Sequence, residues 1–426
     1  MNLFWAEHAV LPTSIAHGVR IEEDRGRVLS VTPDAPPAGT ILPGLVLPGF
    51  ANGHSHAFHR ALRGTTHADG GSFWSWRERM YAVAGALTPE NYRELATAVF
   101  AEMVLAGYTV VGEFHYVHHL PDGTAYEADA MEQAILSAAA DAGIRLTLLD
   151  TLYLEGGIDI PISDRQRRFS DGSVQAWHRR RSRLVPGRRA RIGAALHSVR
   201  GVTPAAIAEV VDLDLDLLHA HVSEQPAENE QAIERWGSTP VRLLADLLGP
   251  RFTAVHATHL VDDDVAALST GFACICPTTE RDLGDGIGPA RALHDAGVRL
   301  TLGSDQNAVV DPFEEIRGLE MNERLASGER GRFAPRDLLE AAGANGYASL
   351  GWDVAAIAPG ALCDLVAVDD TSTRTAGSDP GQMWLTASAA DVREVVVDGE
   401  LVVTGGVHRL GDIASLLSAA IGRVRP

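Results

Sequence analysis

The chain has 426 residues, 46% of them hydrophobic, a mean hydropathy near zero and a formal net charge of −20 at pH 7. A large globular core is therefore within reach, while no apolar run attains the ~20 residues of a membrane span, no basic start marks a secretory signal, and the acidic balance excludes a general nucleic-acid binder. All 36 basic residues are arginine, which removes Schiff-base, pyridoxal, P-loop-lysine and carboxylated-lysine chemistry, and three cysteines (Cys274, Cys276, Cys363) form no disulfide framework. The expectation is a cytoplasmic enzyme with no membrane or nucleic-acid partner.

Residues 1 to about 44 hold short strand-like runs, at 10–11, 19–21 and 28–31, broken by Pro33, Pro36 and Pro37, and read as a small β element. From Leu45 strands alternate with helices. The run Leu45-Val46-Leu47-Pro48-Gly49-Phe50 reads as a buried strand leaving a sheet, and just past it stand His54 and His56. In extended backbone alternate side chains share a face, so the two imidazoles are offered together at the strand's end. Thr88-Pro89-Glu90 starts a helix with a capping hydroxyl, proline in the first turn and an acid beside it, and Ala106-Gly107 ends that helix before a strand at 109–111.

The same punctuation recurs. Ala142-Gly143-Ile144-Arg145-Leu146-Thr147-Leu148 and Ala296-Gly297-Val298-Arg299-Leu300-Thr301-Leu302 are near copies, each a glycine-ended helix running into an apolar strand. Strands are expected to begin near Leu45, Thr109, Ile144, Arg191, Leu217, Thr253, Phe272 and Val298. Eight such units in an α/β chain predict a (β/α)₈ TIM-type barrel, residues 45–358. Strand-like runs return at 365–368, 395–397 and 401–403. They predict that residues 359–410 join 1–44 in a small β-sandwich domain built from both chain ends, with 411–426 a C-terminal helix.

Active sites of such barrels lie at the carboxyl ends of the strands. The first strand ends in His54 and His56, the fifth in His221 with Glu224 three positions on, the sixth in His256, and the eighth delivers Gly303-Ser304-Asp305. Three neutral imidazoles and a carboxylate make a site for one divalent metal ion, Zn2+ being the expected species, with room for a water whose pKa the ion lowers. Glu224 is placed to shuttle a proton to a leaving nitrogen, His256 to stabilise developing charge, and Asp305 to touch the metal and accept the first proton. Blander readings stand beside these. Glu224 also suits a helix cap, Asp305 a turn residue, and His259 an alternative to His256, while His219 reads as a packed neighbour of His221. His115, His118 and His119 read as a hydrogen-bonded loop.

The pattern H-x-H, H-x-x-E, His and Asp on strands one, five, six and eight resembles the amidohydrolase superfamily, as do the flanks Pro359-Gly360-Ala361-Leu362-Cys363-Asp364-Leu365-Val366 and Val397-Asp398-Gly399-Glu400. Without a bridging lysine it resembles the mononuclear branch. Within it, the blocks Ser72-Phe73-Trp74-Ser75-Trp76-Arg77-Glu78, Glu113-Phe114-His115-Tyr116-Val117-His118-His119, His197-Ser198-Val199-Arg200 and Leu283-Gly284-Asp285-Gly286 resemble the family of N-formimidoyl-L-glutamate deiminases.

That resemblance implies zinc on His54, His56, His221 and Asp305, and substrate contacts from Arg77, Tyr116, His197 and Arg200. It also implies hydrolysis of a dicarboxylate amidine to N-formyl-L-glutamate and ammonia in histidine degradation; a homodimer is the expected assembly. Arginine suits the two carboxylates, which a planar guanidinium holds in bidentate fashion. His59 is the one departure, standing near the expected substrate where some family members carry glutamine. Two rivals remain: a mononuclear deaminase of a purine, pyrimidine or triazine ring, and a metal-free barrel serving assembly or binding.

Overall fold

A computed structural model describes residues 1–66, 73–213 and 215–425, with the backbone alone for 73–75; Ser72, in the tryptophan-rich block, lies outside the described residues. Four strands open the chain: β1 (Asn2–Val10), β2 (Ile15–Asp24), β3 (Arg27–Thr32) and β4 (Thr40–Pro48). Eight follow that pair in parallel, each with the next: β5 (Phe50–Ser55), β6 (Tyr108–His115), β7 (Arg145–Leu152), β8 (Ala190–Leu196), β9 (Leu218–Val222), β10 (Phe252–His256), β11 (Phe272–Ile275) and β12 (Arg299–Leu302). These are the (β/α)₈ barrel. The last four are β13 (Leu365–Val368), β14 (Val392–Val397), β15 (Glu400–Thr404) and β16 (Val407–His408). They hydrogen-bond with β1 to β4 into one eight-stranded mixed sheet, in the order β16-β15-β14-β13-β4-β1-β2-β3. Both chain ends thus build it, meeting where β13 pairs antiparallel with β4.

One expectation needs correcting. The apolar run at Leu45 is not the first barrel strand, because Leu45 to Pro48 pair with β13 in the mixed sheet and the barrel begins at Phe50. The break is Pro48-Gly49. A side chain at Gly49 would lie 2.1 Å from the Thr109 hydroxyl, so only glycine lets the chain pass from one sheet to the other against β6. Every residue of β6 and β7 is buried, as expected of parallel strands covered by helices. Capping follows the sequence signals too: the Thr88 hydroxyl accepts from the Asn91 amide at the start of the helix Pro89–Ala106, and Gly107 ends it in a left-handed conformation.

The barrel closes at its seam through the residues of interest. Between β5 and β12 the His56 amide donates to the Asp305 carbonyl and the Asp305 amide to the His54 carbonyl, both at 2.9 Å. Gly303 permits this approach, since a Cβ there would sit 2.9 Å from that of His54. At the opposite end a buried ion-pair cluster joins the two sheets. Arg145, opening β7, donates to Asp364 at 2.7 and 3.1 Å and to Asp398 at 3.0 Å, and the Tyr347 hydroxyl donates to Asp364 at 2.6 Å. Asp364 and Asp398 come from the two C-terminal flanking motifs, so those motifs hold the mixed sheet to the barrel.

Candidate active site

Four strand ends bring their side chains to one point. His54 Nε2 lies 3.3 Å and His56 Nε2 3.4 Å from Asp305 Oδ1, and His221 Nε2 lies 3.1 Å from His54 Nε2. His256 Nε2 stands 3.9 Å from Asp305 Oδ2 and 4.0 Å from Glu224 Oε1. Ligand atoms of His54, His221, His256 and Asp305 all fall within 4.8 Å of one another, and those of His56, His59 and Asp305 form an overlapping group.

These residues fit a divalent ion. His56 Nδ1–H donates to the Phe114 carbonyl at 2.9 Å and His221 Nδ1–H to the His197 carbonyl at 2.8 Å, which fixes each tautomer and turns the Nε2 lone pair inward. Burial, reinforced by the neighbouring imidazoles, holds His54 and His221 well below the ordinary histidine value, and burial takes His56 to about 3 against the pull of the Phe114 carbonyl. The rings are therefore neutral, the form a metal requires. Asp305 is pushed up to about 7, burial outweighing the attraction of His256. The cluster is buried; burial opposes a charge on His256, but Glu280, Glu224 and Asp305 raise it to about 10, so it stands as a cation beside the neutral rings, and its Nε2 has no hydrogen-bond partner.

Strained backbone surrounds it. Ser223, His256, Ala257, Asp305 and Asn307, with φ between 42° and 67°, are five of the eleven non-glycine left-handed residues among those described. Such conformations cost of order 1–3 kcal/mol each and persist only where neighbours enforce them. Here the neighbours are visible. Asn52 donates to the Ser304 hydroxyl at 2.7 Å and accepts from the Ser304 amide, and Asn307 donates to the His56 carbonyl at 3.0 Å. Glu280 accepts from the Cys276 amide at 2.9 Å and approaches His256 Nδ1 at 3.4 Å. Sequence reasoning missed Asn52, Asn307 and Glu280 as supports, although Asn52 precedes the H-x-H pair and Asn307 follows Asp305 by two.

Above the cluster opens a cavity of about 350 Å³ lined by His59, Arg77, Tyr116, His197, Arg200, Glu224 and Glu228 among others, so all five residues expected at the substrate are gathered there. His59 Nε2 and the Tyr116 hydroxyl hydrogen-bond at 2.9 Å. Arg77 donates to the Tyr81 hydroxyl at 2.8 Å and the Gly156 carbonyl at 3.3 Å. Arg200 Nη2 donates to Glu224 Oε2 at 2.6 Å; burial opposes the charge on Glu224, but Arg200, His256 and His221 hold its carboxyl down at about 2. Tyr153, unnoticed in the sequence, lies edge-on to His197 with ring centroids 4.4 Å apart.

Four further histidines singled out in the sequence have partners of their own. His219 Nε2 donates to the Ser349 carbonyl from a fully buried position below the cluster, and His259 Nε2 to the Asp285 carbonyl. His115, His118 and Glu132 lie close enough together for an ion, yet His118 donates at both nitrogens, to Glu132 at 2.7 Å and to the Thr151 carbonyl at 3.0 Å. Its imidazole has no free lone pair. Burial and Arg180 oppose that proton, while Glu132 and Asp150 hold the group above its ordinary value. Together with Arg180, Asp150 and Asp171, it anchors the loop that carries Tyr116.

The profile of the Amidohydrolase family matches residues 45–402. A formimidoylglutamate deiminase from Pseudomonas aeruginosa is 39% identical over 96% of this chain and 96% of its own. Among solved structures, an amidohydrolase from Brucella melitensis superposes with a TM-score of 0.89 at 33% identity over the whole of both chains. An adenosine deaminase from Xanthomonas campestris with bound zinc superposes at 0.85 and 22% identity over 99% of this chain and 97% of its own, a likeness of fold.

Proposed function

The chain belongs to the amidohydrolase family, and from that premise we propose that it hydrolyses N-formimidoyl-L-glutamate to N-formyl-L-glutamate and ammonia, a step of histidine degradation. The observation that carries this reading is the cavity itself: two arginines, Arg77 and Arg200, line it above the neutral imidazoles of His54, His56 and His221 and the Asp305 carboxyl. A dicarboxylate amidine needs both features, whereas a neutral ring gives no reason for paired guanidinium groups in an acidic protein.

On this reading His54, His56, His221 and Asp305 hold one divalent ion, and three nitrogens with one carboxylate suit Zn2+. Such an ion, when bound, supplies a water of lowered pKa and a Lewis-acid contact at the strand ends. The protein does the rest. Arg77 and Arg200, which line the cavity, hold the substrate carboxylates. Tyr116, His197 and His59 wall the amidine and orient it. Asp305 accepts the first proton from the attacking water as its oxygen bonds to the amidine carbon, and His256 faces the charge that develops there. Glu224 takes the remaining proton of the added oxygen and passes it to the departing nitrogen, the C–N bond breaks as the carbonyl forms, and ammonia leaves.

The test is ammonia release from formimidoylglutamate beside a panel of aminopurines. Turnover of the amidine, lowered at least a hundredfold by Arg77→Ala and by Arg200→Ala, supports the reading; a preference for a purine, indifferent to both substitutions, assigns the chain to the ring deaminases instead.

A further inference from the structure

Arg200 has two carboxylates of its own protein around it. Its Nη2 donates to Glu224 Oε2 at 2.6 Å, while its Nε donates to the Ser198 hydroxyl at 3.3 Å and stands 3.8 Å from Glu228 Oε2. Glu228 lies one turn along, in the helix Pro226–Trp236, and its side chain is wholly buried. Its Oε2 also accepts the Glu224 amide at 3.2 Å, while Oε1 is buried with no partner. Glu228 thus pins the backbone of Glu224, directly after left-handed Ser223, and leaves the Glu224 side chain to the cavity.

This arrangement conflicts with the proposed chemistry as it stands. Glu224 Oε2, closed on a guanidinium at 2.6 Å, is held charged and is a poor proton carrier, and the guanidinium it occupies is the one that must grip a substrate carboxylate. Both demands are met if the partners change. Resting on the deiminase reading, we propose that Arg200 holds Glu224 until a substrate carboxylate displaces it, with Glu228 keeping the guanidinium in place during the exchange. The carboxylate of the substrate then frees Glu224 for proton transfer, and specificity is expressed in turnover as well as in binding. Glu228, which touches the guanidinium and not the reacting atoms, is a positioning residue.

Two substrates separate this from a simple clamp: formimidoylglutamate and N-formimidoylpropylamine, an amidine with no carboxylate. Exchange predicts that the unsubstituted enzyme shows at least a tenfold lower kcat on the propylamine, and that Arg200→Ala, while slower on formimidoylglutamate, raises kcat on the propylamine several-fold because Glu224 is released. Glu228→Gln should raise KM for formimidoylglutamate and lower kcat on the propylamine, since Arg200 then leans wholly on Glu224, with Glu228→Asp restoring part of both. A merely structural role would depress both substrates alike. Independently of activity, a crystal structure of the unsubstituted enzyme with glutarate should show Arg200 Nη2 on the glutarate carboxylate and beyond hydrogen-bond distance of Glu224. The inference is overturned if Arg200→Ala leaves the propylamine rate equal or lower, or if glutarate binds with the Arg200–Glu224 bond intact. Absence of any turnover of formimidoylglutamate by the unsubstituted enzyme sinks the functional reading and this inference with it, whereas turnover without the change of sign sinks the inference alone.

Discussion

Glu224→Gln isolates proton transfer from everything else the site does. The amide oxygen can still accept from Arg200 Nη2, now 2.6 Å from Oε2, so the cavity keeps its shape, but no group remains there to carry a proton. General acid–base steps contribute about 10²- to 10⁴-fold, so kcat should fall by that factor, equal to about 2.7 to 5.4 kcal/mol of barrier. Metal content should not change, because Glu224 is absent from both groups of converging ligand atoms and its nearest approach to them is 4.0 Å, at His256. The stability change should stay below about 3 kcal/mol, the scale of one hydrogen bond to a charged group, and part of it returns because a buried carboxylate charge is removed. Steady-state ammonia release, metal analysis and urea denaturation on one preparation check all three. A variant with near-normal kcat, or one that loses its metal along with its activity, would refute the reasoning.

Asp305→Asn should abolish metal binding as well as activity, because its Oδ1 is the atom on which His54 and His56 converge; elemental analysis after purification without chelator reads this directly. Dialysis against a chelator should remove activity and added Zn2+ should restore it, with far-ultraviolet circular dichroism unchanged, since the imidazoles are already oriented by the Phe114 and His197 carbonyls. Arg145→Met should destabilise the fold by about 3–5 kcal/mol in urea denaturation by leaving Asp364 buried without its cation, while Asp398 keeps Arg188 and Arg189, and the added change Asp364→Leu should recover part of it. Burial pushes Glu113 up to about 8 against the Ala57 amide and Ser55. A carboxyl raised above its unfolded value favours the fold in its protonated state, so this contribution is complete below about pH 4.5 and is lost as pH rises through about 8. Glu113→Gln should flatten that decline in a series of urea titrations from pH 5 to 9.

The sequence by itself determined what local chemistry can encode. Glycine-ended helices running into apolar strands specify the barrel units, the period of two puts His54 and His56 on one face, and the strand ends name His221, His256 and Asp305, because backbone propensity and side-chain alternation act over a few residues. Tertiary structure decided the rest. That Leu45 to Pro48 pair with β13 rather than starting the barrel depends on a partner more than 300 residues away, and an apolar run reads the same in either sheet. Asn52 and Asn307 brace the seam from the first barrel strand and from just past the last, and Arg200, Glu224 and Glu228 meet from two loops and a helix. Such pairings are set by where the closed barrel brings its ends, and charge or hydrogen-bonding capacity in the sequence does not say which partner it will find.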